Sequence, residues 1–174
     1  LEVAMNIIIV GCGKVGCTLA EQLCNEEHQV VVIDTSSDKI QQLSEELDLL
    51  GITGNGSSIR VLSEAGLKEA DILIAVTGSD ELNLLCCLIA KKVSDCHTIA
   101  RVRNPIYNKE AHFLKERLGI SMIINPELAA AMEISRLLRF PSAIKLDTFS
   151  KGRVELLKFK LLPEFRLQGM SVME

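Results

Sequence analysis

Ile7-Ile8-Ile9-Val10-Gly11-Cys12-Gly13-Lys14-Val15-Gly16 decides how this chain folds. Four branched apolar residues in a row read as a strand covered on both faces, because a half-buried strand would alternate with polar residues. The glycines follow a G-x-G-x-x-G spacing and lead into a helical pattern, which is the context this otherwise weak motif requires. Gly11 permits a tight turn, Gly13 lets the backbone approach a pyrophosphate, and Gly16 lets helix and strand pack closely. Cys12, Lys14 and Val15 complete the loop, and the helix start adds unpaired N–H donors and the positive end of its dipole.

The next strand, Gln29–Asp34, ends on a carboxylate 18 residues past Gly16 (34 − 16 = 18). That is close to the roughly 20 expected for an acid that accepts hydrogen bonds from adenosine ribose hydroxyls. Such an acid repels a 2′-phosphate, and Thr35-Ser36-Ser37 bring no arginine to neutralise one. NAD(H) is therefore favoured over NADP(H). Open parallel sheets bind ligands at the carboxyl ends of their strands, which adds Gly54-Asn55-Gly56-Ser57, Thr77-Gly78-Ser79-Asp80-Glu81 and Arg101-Val102-Arg103-Asn104-Pro105. Asn55 joins the candidate site here. Thr77 and Gly78 approach the ligand's middle section, and Arg101 brings positive charge towards its phosphates or far ribose. For Arg101 and Arg103 the competing reading is a surface salt bridge.

Outward from this loop, short apolar runs alternate with amphipathic segments. Strands are expected at Asn6–Val10, Gln29–Asp34, Asp48–Thr53, Ile72–Val76, His97–Val102 and Ser121–Ile124. Helices are expected at Lys14–Glu26, Ser37–Glu46, Ser58–Ala65, Asp80–Val93 and Tyr107–Leu118, with Ser37 or Asp38 capping the second and Ser79 or Asp80 the fourth. Strand and helix in strict alternation give an α/β fold, a Rossmann-type doubly wound, parallel, six-stranded sheet. After Asn125-Pro126 the rhythm changes. Glu127–Phe140 reads as a helix apolar around much of its circumference, ended by Pro141, which either packs on its own sheet or forms a subunit interface. Ala143–Phe149 and Val154–Leu161 read as strands around Ser150-Lys151-Gly152. The expected organisation is a dinucleotide-binding domain over 1–140, including the long helix, and over 141–174 the truncated start of a second domain.

Composition narrows the function classes. Of 174 residues, 48% are hydrophobic and only 3% aromatic, so the core is built from Ile, Leu, Val and Ala. A net charge of -4 argues against a nucleic-acid partner, which needs a clustered basic surface. The longest apolar runs, such as Leu84–Ala90, fall short of the roughly 18 residues that span a bilayer, and Leu1–Ala4 carries no signal-peptide pattern; Met5 is the expected natural start. The six cysteines contain no C-x-x-C pair and the three histidines are scattered, so no metal site is expected. The cysteines read instead as small apolar residues on buried helix and strand faces in a reducing compartment.

An ordered set of motifs resembles the N-terminal nucleotide-binding (KTN or RCK) domain of the TrkA family of Trk potassium-uptake regulators. It runs from Met5 through the glycine loop to Val32-Ile33-Asp34, Gly54-Asn55-Gly56, Ala75-Val76-Thr77, Asp80-Glu81-Leu82-Asn83 and Ala100-Arg101-Val102-Arg103-Asn104-Pro105. The last two stretches are far more specific than the glycine loop. The resemblance implies a regulatory subunit that binds NAD+ or NADH, or in relatives ATP and ADP. It implies a cytoplasmic protein, peripheral on the inner face of the inner membrane, that gates a potassium-translocating membrane protein by nucleotide-dependent conformational change. It further implies a homodimer or higher homo-oligomer through a crossover helix, matched by Glu127–Phe140, and continuation into a C-terminal RCK subdomain. The family usually has Asp where Asn55 stands, so an ionic role there does not carry over.

Two other readings compete. The chain could be the cofactor half of an NAD-dependent dehydrogenase, but that chemistry needs a general acid or base beside the nicotinamide, and His97 and His112 lie in a strand start and a helix pattern. It could also be the RCK domain of a potassium channel, which shares the binding chemistry. The expectation is a module that binds its nucleotide as a signal and is not an enzyme.

Overall fold

The computed structural model describes residues 4–139, 143–149 and 154–159. The chain divides after Pro126 into two units. The first holds β1 (Asn6–Val10), α1 (Lys14–Asn25), β2 (Gln29–Asp34), α2 (Ser37–Glu46), β3 (Leu50–Thr53), α3 (Ile59–Glu64), β4 (Ile72–Ala75), α4 (Asp80–Val93), β5 (His97–Arg101), α5 (Pro105–Lys109), α6 (Ala111–Leu118) and β6 (Met122–Ile124). The expected doubly wound sheet is present: six strands, all parallel, in the order β3-β2-β1-β4-β5-β6. The order reverses at β1, where β2 and β4 flank it, and at that reversal the carboxyl ends of the strands splay into a crevice.

The uninterrupted apolar sequence of β1 has its reason in this architecture. Successive side chains point to opposite faces, so Ile8 and Val10 join one buried cluster with Leu62, Leu73 and Cys86. Ile7 and Ile9 join the other with Ala20, Val32 and Ile40. Helices cover both sides, and a polar residue would suit neither.

Local differences from the expected elements have local causes. Ser36, not Ser37 or Asp38, is the N-cap of α2; its side chain makes no capping bond, and its N–H donates to Asp34 Oδ1 at 2.9 Å. Ser79 does cap α4, accepting from the Leu82 N–H at 3.2 Å. The helix expected over Tyr107–Leu118 is two, because the Glu110 N–H is shared between the carbonyls of Ile106 and Tyr107 and the chain re-enters α-geometry only at Ala111. Asn104 Oδ1 accepts from the Ile106 N–H and starts the first of them. Gly119 ends the second in the left-handed region (φ 68°).

The second unit contains α7 (Pro126–Arg139, whose first residue belongs to the first unit) and an antiparallel pair, β7 (Ala143–Phe149) and β8 (Val154–Phe159). None of the described residues of α7 is buried, and Leu128, Met132, Ile134, Leu137 and Leu138 are exposed. Phe140, Pro141, the expected turn at 150–152 and the final residues expected in the last strand lie outside the described residues. Among the described residues no helix is long and apolar enough to cross a membrane.

Candidate functional site

Gly11 leaves β1 with φ 109°, a conformation closed to residues with a side chain. A Cβ on Gly16 would lie 1.9 Å from the Gly11 carbonyl oxygen, so α1 can start this close to the turn only with glycine there. The first and third glycines are thus explained by the fold. The middle one is not. Gly13 sits at φ -90°, ψ -174°, open to any residue, and a Cβ there meets nothing within 4 Å. Gly78, at the end of β4, is equally unconstrained. Both line the same cleft.

That cleft, of about 520 Å³, lies at the sheet's topological reversal. It is lined by the expected Gly11, Gly13, Lys14, Val15, Asp34, Asn55, Thr77, Gly78 and Arg101. Of the expected set, Cys12 and Gly16 are absent from the wall. Both are buried, Gly16 beneath the turn and Cys12 with its side chain in the core.

Asp34 already has partners. Its Oδ2 accepts the Cys12 N–H at 2.6 Å and its Oδ1 the Ser36 N–H at 2.9 Å. The carboxylate therefore locks the glycine turn to the end of β2. With two lone pairs on each oxygen it keeps acceptor capacity towards the cleft. Asn55 is turned onto its own loop, its Oδ1 accepting from the N–H and hydroxyl of Ser57.

Sequence reasoning missed Thr35, Lys39 and Leu82 on the cleft wall. Lys39 matters most, because Thr35-Ser36-Ser37 bring no arginine but a lysine follows them within the first turn of α2. Lys39 lies one residue beyond Asp38 in the first turn, and strand-to-helix connections at this sheet edge all face the crevice. With Lys14 and Arg101 it gives the cleft three cations against the carboxylate of Asp34, a balance suited to an anionic ligand.

The β4 and β5 edges are joined by two buried polar side chains of α4. Asn83, fully buried, accepts on Oδ1 from the Thr77 N–H (2.8 Å) and the Thr77 hydroxyl (2.7 Å), while its Nδ2 donates to the Arg101 carbonyl (2.8 Å). Asp80 accepts from the N–H groups of Arg103 (2.8 Å) and Asn104 (2.7 Å) and pairs with the Arg103 guanidinium (3.4 Å). Burial pushes the Asp80 carboxyl up, but the two amides and the guanidinium outweigh it and hold it below the usual carboxylate range. Arg103 also donates to the Gly78 carbonyl. Arg103 pairs with Asp80, and Arg101 lines the cleft.

His97 and His112 are exposed and lie outside the cleft lining. Among the described residues no group of three or more His, Cys, Asp or Glu could hold a metal ion. All six cysteines are free; Cys12, Cys86, Cys87 and Cys96 are buried and the other two half-buried.

Residues 7–126 match the TrkA-N domain family. A Trk system potassium uptake protein TrkA homolog from Archaeoglobus fulgidus is 39% identical over 168 residues, covering 97% of this chain and 38% of that protein. The chain spans about two fifths of the length of the curated relatives it matches. The TrkA-N domain of the inner membrane protein ybaL from Escherichia coli superposes with a TM-score of 0.69 at 25% identity, over 79% of this chain and 99% of that one. The GsuK channel bound to NAD shares the fold, with a TM-score of 0.60 at 22% identity over 84% of this chain and 24% of the channel.

Proposed function

The chain belongs to the TrkA-N domain family, and from that premise we propose that it is the nucleotide-binding regulatory module of a potassium-transport system, with NAD+ or NADH as its signal. The observation that carries this reading is the pair of glycines without a task in the fold. Gly13 and Gly78 face each other's cleft in ordinary conformations with open space where a side chain would stand. That space suits a diphosphate lying against bare amides at a helix start. Lys14 and Arg101 complement its charge, and Asp34 accepts hydrogen bonds from a ribose. A relative is named for Trk potassium uptake and a neighbour of the same fold holds NAD, which supports both halves of the proposal.

ADP and ATP share the ribose and diphosphate, so they are the competing ligands. NADP(H) is disfavoured by Asp34, although Lys39 softens that exclusion. Binding acts as a signal when two arrangements of the module space the edges at Asp34, Thr77 and Arg101 differently, because a ligand shifts an equilibrium only by its differential affinity. We further propose that α7 is a crossover helix pairing two copies through its exposed apolar face, that residues after 140 begin a second domain, and that the module docks on the cytoplasmic side of a potassium-translocating membrane protein. It is a binder and not a dehydrogenase; His97 and His112, the histidines available for proton transfer in that alternative, lie away from the cleft.

Calorimetric titration with NAD+, NADH, NADP+ and ADP tests the reading. Binding of the first two, abolished in Gly13→Val at an unchanged melting temperature, is expected. A Gly13→Val protein that binds as the parent does would sink the proposal. Incubation with NADH and a panel of hydroxy acids and ketones is expected to show no turnover, and steady oxidation of NADH would restore the dehydrogenase.

A further inference from the structure

We propose that Cys12 and Cys17 form a thiol–disulfide switch, oxidised by hydroperoxide, that loosens nucleotide binding when it closes. The effect on binding rests on the nucleotide reading above, whereas the chemistry rests on geometry of its own. The two thiols lie with their Sγ atoms 3.3 Å apart, already in contact and both free. A disulfide bond of about 2.05 Å requires a further approach of roughly 1.2 Å. The pair is also reachable. A second cleft, of about 570 Å³, is lined by both cysteines together with Lys14, Lys39 and Glu46, and it adjoins the first across Gly13 and the two lysines.

The atoms balance with peroxide alone. The half-buried Cys17, as thiolate, attacks one peroxide oxygen; the O–O bond breaks, leaving a sulfenic acid and, after protonation, water. The Cys12 sulfur then gives up its proton and attacks the Cys17 sulfur, so that the S–S bond forms, the S–O bond breaks and a second water leaves. Two thiols have lost two electrons and two protons, and one peroxide has become two waters. Burial, together with the hydrogen bond to Cys17, pushes the Cys12 thiol up to about 12. Cys12 is therefore the slower, second partner, and closure speeds up as pH rises. A dithiol reductant reverses it, and in a reducing cytosol such a bond is transient and signalling.

The coupling follows from where Cys12 stands. Its N–H is the donor that ties the glycine turn to Asp34 at 2.6 Å, and it directly precedes Gly13, the N-cap at the start of α1. Drawing its side chain towards α1 displaces the two groups that would read the diphosphate and the ribose.

The test treats the 174-residue chain with hydrogen peroxide and follows it by peptide mass mapping and ADP calorimetry. Expected are a Cys12–Cys17 linked peptide, about 2 Da lighter than the two free thiols, and ADP affinity lowered at least about five-fold. Dithiothreitol should restore the affinity, and Cys17→Ser should bind ADP as the reduced parent does, before and after peroxide. Overoxidised cysteines with no linked peptide would overturn the switch, as would a linked protein with unchanged ADP affinity. A reduced parent that binds no ADP would overturn the nucleotide reading and the coupling with it, while the linked peptide still decides the thiol chemistry separately.

Discussion

Gly16 and Gly13 stand three residues apart in one motif and answer to different physics. A methyl group at Gly16 would be driven into the Gly11 carbonyl. Overpacking of this severity costs about 3 kcal/mol or more, so Gly16→Ala is expected to lower the thermal midpoint sharply whether or not nucleotide is present. At Gly13 no such contact exists, so a side chain there should cost binding and leave the fold alone. Differential scanning calorimetry of the two variants separates them, and equal midpoints would contradict the assignment. Asp34 belongs to neither class alone, since it holds the turn through the Cys12 N–H and also faces the cleft. Asp34→Ala removes both functions. Asp34→Asn keeps one acceptor, and with Lys39 nearby it should narrow the preference for NAD+ over NADP+ in paired titrations, while Lys39→Gln should widen it.

At the scale of an element, the first turn of α4 is the clasp of the site. Asn83 spends its acceptor on Thr77 and its donor on the Arg101 carbonyl, so one side chain sets the distance between the β4 and β5 ends. Asn83→Leu orphans these buried groups and should cost about 1–3 kcal/mol of stability. Asn83→Asp keeps the acceptor for Thr77 and loses the donor to Arg101. It is expected to weaken NAD+ more than ADP, because in the proposed pose ADP would lie wholly on the glycine-loop and Asp34 side; equal losses in calorimetry would deny Asn83 that role. Asp80 makes the same turn sensitive to acid. Its folded pKa lies below the ordinary value, so its contribution is complete above the unfolded carboxylate pKa and is lost as pH falls through that value towards the lowered one. Asp80→Asn should therefore flatten the acid limb of a stability–pH curve and leave the neutral and basic range sloping as before.

For the whole molecule, the sheet unit and the unit containing α7 pose separate questions. The sheet unit closes its own core on both faces. The helix α7 leaves Met132 57% and Leu138 71% exposed on a face rich in Leu, Ile and Met, an apolar patch of the kind that marks an interaction surface. If that face pairs two copies, Met132→Asp with Leu138→Asp should give a monomer in sedimentation velocity, with the melting temperature of the sheet unit unchanged. A parent that sediments as a monomer at high concentration would remove the dimer from the proposal.

The sequence by itself determined whatever neighbours along the chain decide. Four apolar residues ahead of Gly11 announced a strand buried on both faces, α2 and α4 were legible to the residue from their periodicity, and the spacing of Gly16 and Asp34 located the turn and the acid. These follow from backbone sterics and side-chain period, which act over a few residues. Only the tertiary structure decided which remote groups meet: Lys39 reaching the cleft, Asn83 between Thr77 and Arg101, Arg103 paired with Asp80 while Arg101 lines the cleft, and the sulfur of Cys12 against that of Cys17. Each depends on where a strand order and a crossover carry a side chain in space, and no periodicity records that.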